Sequence, residues 1–501
     1  MIKLIYRIES DYMSKKRMLI VTSVTLSVVT ISLGIVKLYQ TYALSNYIGT
    51  VTDTGIDVYI NDDSYASIPA NGSSNVYYML TNTNPGTVKY GVAYQTTSGV
   101  TVKVYDTSED PATGTIEEND KKYIKLHLEN KNSTNKTIEL STVLGYENGG
   151  DLVVPSGVTL VTDTYTPPPT AAEYITKLYT TASKTTVTNN SITYNTAPSV
   201  SLMNDRLGGT TTDLDGGNIR YYGASPNNYI YFNCSDYSNQ TSSTCETWRI
   251  IGVFDGKLKL IRGSQIGTYS WDNKDTSTGA ESNFGKNDWT TARLMKLLNP
   301  SDYYTTDSND NNLGQGLYYN SASGKCYSGQ NNATVDCNFT STGIKNDITR
   351  NMIAETTYYL GGWNSYSVYP NEIYEYERGT TVYTGRPPTW PGKIALAYPS
   401  DYGYAADLNQ CKDKTLYDYD NSTCTSNNWM KAILGTSSHG WLLTPRSGGS
   451  YNAWNVYSGG YVGSTYLAYY AIGAVPVLSL SSKLGIESGD GSSSNPYKLS
   501  A

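Results

Sequence analysis

The chain has 501 residues, 38% hydrophobic and 16% charged, with a formal net charge of −7 and a pI near 5.1. One ordinary domain holds roughly 100–200 residues, so two or three domains are expected. The acidic balance argues against a nucleic-acid partner, which needs Lys and Arg to neutralise phosphate, and 45 Gly with 18 Pro, without period, excludes collagen. The oddest count is 48 Tyr against 4 Phe. Tyr joins an apolar ring to a polar tip, so it suits wet binding surfaces as well as β-strands.

Met18 to Val36 is an uncharged apolar run, preceded by Lys15, Lys16 and Arg17. As a helix it approaches the ~20 residues needed to cross a bilayer. The flanking charges place residues 1–17 in the cytoplasm and the bulk of the chain outside. Residues 18–38 are therefore expected to be a membrane anchor, with a cleaved signal peptide ending near Ala43 as the alternative. Either makes the product exported, at the cell surface or secreted.

Residues 45–165 alternate apolar and polar positions, as in Ile56–Ile60, Asn75–Thr81, Val88–Tyr94, Val100–Tyr105, Tyr123–Glu129, Thr137–Leu144 and Val158–Val161. Turn signals such as Asn71-Gly72 and Asn148-Gly149-Gly150 separate them. About seven short strands at this spacing predict an antiparallel, immunoglobulin-like β-sandwich. Residues 166–180 then read as a linker holding Pro167-Pro168-Pro169, followed by a short helix from Ala171 to Tyr179.

Residues 181–501 mix short strands with helices, so the whole chain is expected to be mainly β with an α+β head. Asp255-Gly256, between Trp248–Phe254 and Lys257–Ile261, predicts a two-residue hairpin. One helix is predicted from an Asn287 or Asp288 cap through Leu298. A second is predicted over about 344–360, with Ile344, Ile348, Met352, Tyr359 and Leu360 on its packing side and Gly361-Gly362 ending it. The six cysteines fall in three local couples, Cys234 with Cys245, Cys326 with Cys337 and Cys411 with Cys424. Fifteen pairings are possible, and nearest-neighbour disulfides in an oxidising compartment are the simplest. His127 and His439, the only histidines, stand apart, and no metal site or cofactor is expected. The acidic run Asp307–Asn312 reads as a solvated loop rather than a calcium site.

The most informative stretch is Trp441 to Leu480. No charge occurs between Arg446 and Lys483, and six Tyr lie between Ser447 and Tyr470. A buried strand set would use Val, Ile and Leu, and a solvated face Lys and Glu. Tyr, Ser, Asn and Gly together match the composition of antibody-type contact loops. Alternation points Trp454, Val456 and Val462 inward and Asn455, Tyr457 and Tyr461 outward. The candidate ligand contacts are Ser450, Tyr451, Asn455, Tyr457, Tyr461, Ser464, Tyr466, Tyr469 and Tyr470.

Trp441-Leu442-Leu443-Thr444-Pro445, Ala453-Trp454-Asn455-Val456 and Ile472 to Leu478 resemble the end of a C-type-lectin-like domain. The resemblance extends to Trp248–Gly252, Trp289–Asn299, Lys393–Leu396 and Tyr398–Ala405, covering roughly residues 220–480. It is to the variable proteins diversified by retroelements and to related bacterial surface proteins; formylglycine-generating enzymes share that fold at greater distance. The closing Gly-x-Arg-Pro pattern departs from the family, with Ala474-Val475 at its Arg position. The resemblance implies a rigid scaffold presenting substitutable contact residues, without calcium at the ligand.

These features together suggest a surface-displayed adhesin or receptor-like protein rather than an enzyme. Its expected partners are a protein or glycan on another cell, phage or host surface, and the membrane through its anchor. A structural envelope protein is the alternative, and an enzyme of the formylglycine-generating type a weaker one. No Gly-x-Ser-x-Gly elbow accompanies His439.

Overall fold

The computed structural model of the protein describes residues 44–52, 55–61, 65–82, 86–145, 152, 154–206, 217–273, 284–305, 313–329 and 333–500. The expected anchor at 18–38 and the acidic run Asp307–Asn312 lie outside them. Among the described residues, no helix is long and apolar enough to cross a membrane. The fold is mainly β, and the chain divides into two compact units, residues 1–167 and 168–501.

The first unit is built from two sheets around one core. The larger has the strand order Thr164–Tyr165, Val100–Tyr105, Lys121–Asn130, Gly72–Asn82, Leu44–Thr52, Gly55–Asn61. The smaller runs Val158–Leu160, Val88–Gln95, Lys136–Gly145, Tyr65–Ile68, with Thr113–Ile116 also on Val88–Gln95. Val76, Tyr78 and Leu80 of one sheet share a buried cluster with Val88, Tyr90 and Val92 of the other. Their period-two spacing sends each set to one face, where burial stabilises the pair of sheets without any covalent tie. Among the described residues, eleven strands stand where seven were expected. The four additional ones, Leu44–Thr52, Tyr65–Ile68, Thr113–Ile116 and Thr164–Tyr165, are short or rich in small polar residues, so their periodicity is faint.

The second unit opens with helix Ala171–Thr181. Thr170 caps it by accepting from the Glu173 N–H, while Glu173 accepts from the Thr170 N–H. Its nine-stranded sheet includes Glu246–Phe254 paired with Lys257–Arg262. Asp255 and Gly256 between them take positive φ values of 49° and 71°, as a type I′ turn requires.

Two helix predictions need correction. The first helix is only Arg293–Leu298, because Asp288 turns the chain locally, accepting from the N–H and hydroxyl of Thr290. The second is Asp347–Met352, capped by Asn346, and the chain then becomes strand Thr356–Tyr359 paired with Thr389–Gly392. Two Thr and two Tyr favour an extended backbone there. Ile348 and Tyr359, expected to pack, are exposed instead. The helices Pro370–Arg378 and Pro399–Tyr404 were not predicted, although each begins with Pro and carries an acid two residues on, Glu372 or Asp401, that accepts the backbone N–H before the Pro.

The three disulfides are Cys234–Cys245, Cys326–Cys337 and Cys411–Cys424, each closing a short loop. A five-stranded sheet carries the tyrosine-rich stretch, in the order Thr268–Ser270, Ala471–Gly473, Gly440–Pro445, Asn452–Val456, Val462–Leu467. Both faces of this sheet are covered. Trp441, Leu443 and Ala453 pack into one buried cluster, and Leu442, Trp454, Val456 and Val462 into a second.

Candidate functional site

The aromatic site grows from the hairpin Asn452–Val456 to Val462–Leu467. Gly460 takes φ +100° in the connecting turn, a conformation that side chains disfavour, and its carbonyl accepts from the buried Tyr402 hydroxyl at 2.7 Å. Gly463 lets the Tyr457 ring lie against the strand; a Cβ there would stand 2.6 Å from the ring. Asn287 fixes the preceding loop, donating from its amide to the carbonyls of Arg446, Gly449 and Asn452 at 3.1, 2.7 and 2.9 Å. Two indoles lock the sheet from within, Trp441 Nε1 on the Tyr269 carbonyl and Trp271 Nε1 on the Leu442 carbonyl.

On this frame the rings form one continuous chain. Centroid distances are 4.6 Å for Tyr366–Tyr417, 5.6 Å for Tyr417–Tyr461 and 4.2 Å for the stacked pair Tyr461–Tyr457. They continue at 5.1 Å to Tyr466, 5.4 Å to Tyr470 and 4.8 Å to Tyr469. Phe284 then lies 6.1 Å from Tyr469 and 5.1 Å from Tyr451. Such spacing is that of mutually stabilising aromatic pairs. His439 braces the middle: Nδ1 accepts from the Ser458 N–H at 2.8 Å, and the imidazole sits edge-on to Tyr457 and Tyr466. Burial holds its pKa below the ordinary histidine value, so it stays a neutral acceptor.

Six of the nine sequence-derived contact residues, Ser450, Tyr451, Tyr457, Tyr461, Tyr466 and Tyr470, are partly exposed. Three need correction. Tyr469 is buried at 8% exposure, and Asn455 and Ser464 are buried completely. Asn455 lies on an interior strand of a sheet covered on both sides, so alternation there separates two cores rather than core from water. Trp454, Val456 and Val462 face inward as expected.

The face is neutral. Burial pushes the phenols of Tyr457, Tyr461 and Tyr466 above their ordinary value, so they remain hydroxyl donors. Asp420 raises Tyr461 further and marks an acidic point at the rim. Clefts of about 200 and 180 Å³ lie elsewhere in the second unit, around Leu297 and Leu408. Small-molecule sites are usually about 300–1,000 Å³.

No family model and no curated protein matches this chain. The site therefore rests on its own geometry. Sequence reasoning missed Tyr366, Tyr417, Phe284 and His439, which come to the face from distant segments. Tyr417 carried the one available signal, because it lies inside the Cys411–Cys424 loop, which the disulfide folds back against the hairpin's Tyr461.

Proposed function

We propose that the protein is a surface-displayed binding protein that captures a partner on the aromatic face of its C-terminal unit. The observation that carries this reading is the unbroken chain of rings from Tyr366 to Tyr451, partly exposed apart from the buried Tyr469, uncharged and mounted on a sheet buried on both sides. Tyrosine gives wide contact with few rotors to freeze, so little conformational entropy opposes binding. The covered sheet keeps the rings in place before the partner arrives. In this reading the C-terminal unit is a C-type-lectin-like head and the first unit an immunoglobulin-like spacer. An N-terminal anchor would hold both outside the cell, an oxidising setting with which the three disulfides are compatible. The partner is a protein or glycan on another cell, phage or host surface. Adenine-directed variation at outward positions would exploit the same scaffold, leaving Asn455 and Ser464 fixed because they are interior. All six cysteines are bonded, so none is a free thiol for formylglycine-type chemistry.

The test is saturable binding of the labelled full chain to a glycan array and to intact bacterial and host cells. The combined variant Tyr417→Ala, Tyr461→Ala, Tyr470→Ala should bind at least tenfold more weakly, as truncating contact aromatics at a hot spot costs about 2 kcal/mol or more each. Its melting temperature should stay within a few degrees of the parent. Equal binding by parent and variant would remove the face from the account.

A further inference from the structure

Away from the aromatic face, the second unit buries a charged cluster. Lys259 belongs to strand Lys257–Arg262 and Asp401 to helix Pro399–Tyr404. Lys259 Nζ lies 2.5 Å from Asp401 Oδ2, with the two side chains 7% and 1% exposed. Arg220 Nη1 donates to the other oxygen, Oδ1, at 3.0 Å, while Arg220 Nε is held by Asp205 Oδ2. The rings of Phe254 and Tyr398 stand 4.8 and 4.6 Å from Nζ and shield it from water. Glu377, also fully buried, accepts from the N–H and hydroxyl of Ser400, the residue before Asp401.

We propose that Lys259 and Asp401 condense into an intramolecular amide that covalently ties the central sheet to the helix. Nζ attacks Cγ. The ammonium gives up two of its three protons, and Oδ2 leaves with both as one water. Oδ1 becomes the amide oxygen, and the new N–H keeps the third proton. The ion pair and the products carry the same net charge, and no oxidant or other reactant takes part. Arg220 sits where the oxyanion on Oδ1 develops, the place where a preorganised donor lowers a barrier most. Glu377, held by Ser400 beside Asp401 and by Arg378 Nη1 at 3.2 Å, is pushed by burial up to about 7.

The amine and the carboxyl are held in contact by separate elements, and such fixed proximity replaces a bimolecular encounter. Keeping this ion pair out of water is costly, and condensation removes both of its charges. Arg220 retains Asp205 as its counter-ion and can still donate to the amide oxygen. Burial also holds the Lys259 amine below the ordinary lysine value, which favours the nucleophilic form.

The full chain, unfolded and reduced, would be digested with trypsin and analysed by mass spectrometry. The expected product is a branched peptide joining Leu258–Arg262 to Ile394–Lys412, one water lighter than the two together and uncleaved after Lys259. The Asp401→Asn variant should give the same branched peptide by losing ammonia in place of water, and Lys259→Arg should give none. Cleavage after Lys259 together with linear Ile394–Lys412 at full mass, in the parent protein, would overturn the proposal.

Discussion

Among the described residues, the Ser464 hydroxyl and both polar atoms of the Asn455 amide are buried without a hydrogen-bond partner. An unpartnered buried polar group costs about 1–3 kcal/mol relative to an apolar one of similar shape. Ser464→Ala is therefore expected to leave the melting temperature unchanged or raise it, with no loss of binding; thermal unfolding and cell binding check both halves. Trp454→Ala should behave oppositely. Its ring is fully buried, and removing such a ring costs roughly 3–5 kcal/mol. Glu377 gives a pH signature. Burial raises its pKa from 4.5 to about 7, so the folded state holds this proton more tightly than the unfolded chain. The stability it contributes is complete below pH 4.5 and is lost as pH rises through about 7. Asp272, raised by burial from 3.8 to about 6, acts in the same direction. Melting temperature should fall across that window, and Glu377→Gln should remove part of the fall.

Disulfide loops and capped helices decide how the elements hold the face. Cys411–Cys424 closes the loop that carries Tyr417 to Tyr461. Changing both cysteines to Ser should cost about 2–4 kcal/mol and weaken binding beyond what that instability explains, because Tyr417 loses its fixed place. Calorimetry alongside binding separates the two effects. At this scale the sequence is legible wherever a local rule governs. Asp255-Gly256 specifies its hairpin, and Thr170 with Glu173 specifies a helix start. It misleads where pairing overrides periodicity. Residues 344–360 have helical spacing of apolar positions, but Thr356–Tyr359 pairs with Thr389–Gly392, which no local window contains. Asn455 misleads for a related reason: period two identifies opposite faces of a strand, but not which of them meets water.

Across the molecule, each unit has buried clusters drawn from its own residues. One holds Ala66 to Val161, and the two larger ones together span Ala171 to Leu499. Residues 168–501 produced alone should therefore fold, melt cooperatively and bind as the full chain does. A protein of that length that remained unfolded would show the first unit to be required. Composition revealed the tyrosine excess and the charge-free stretch, but the face itself joins Tyr366, Tyr417, Phe284 and the 451–470 segment, a juxtaposition created only by tertiary packing. Tyrosine footprinting of the full chain, free and bound to the surface it captures, tests the central claim most directly. Labelling of Tyr417, Tyr461 and Tyr470 should drop on binding, while exposed Tyr65 and Tyr123 of the first unit react as before. Undiminished labelling of those three rings in the bound protein would contradict it.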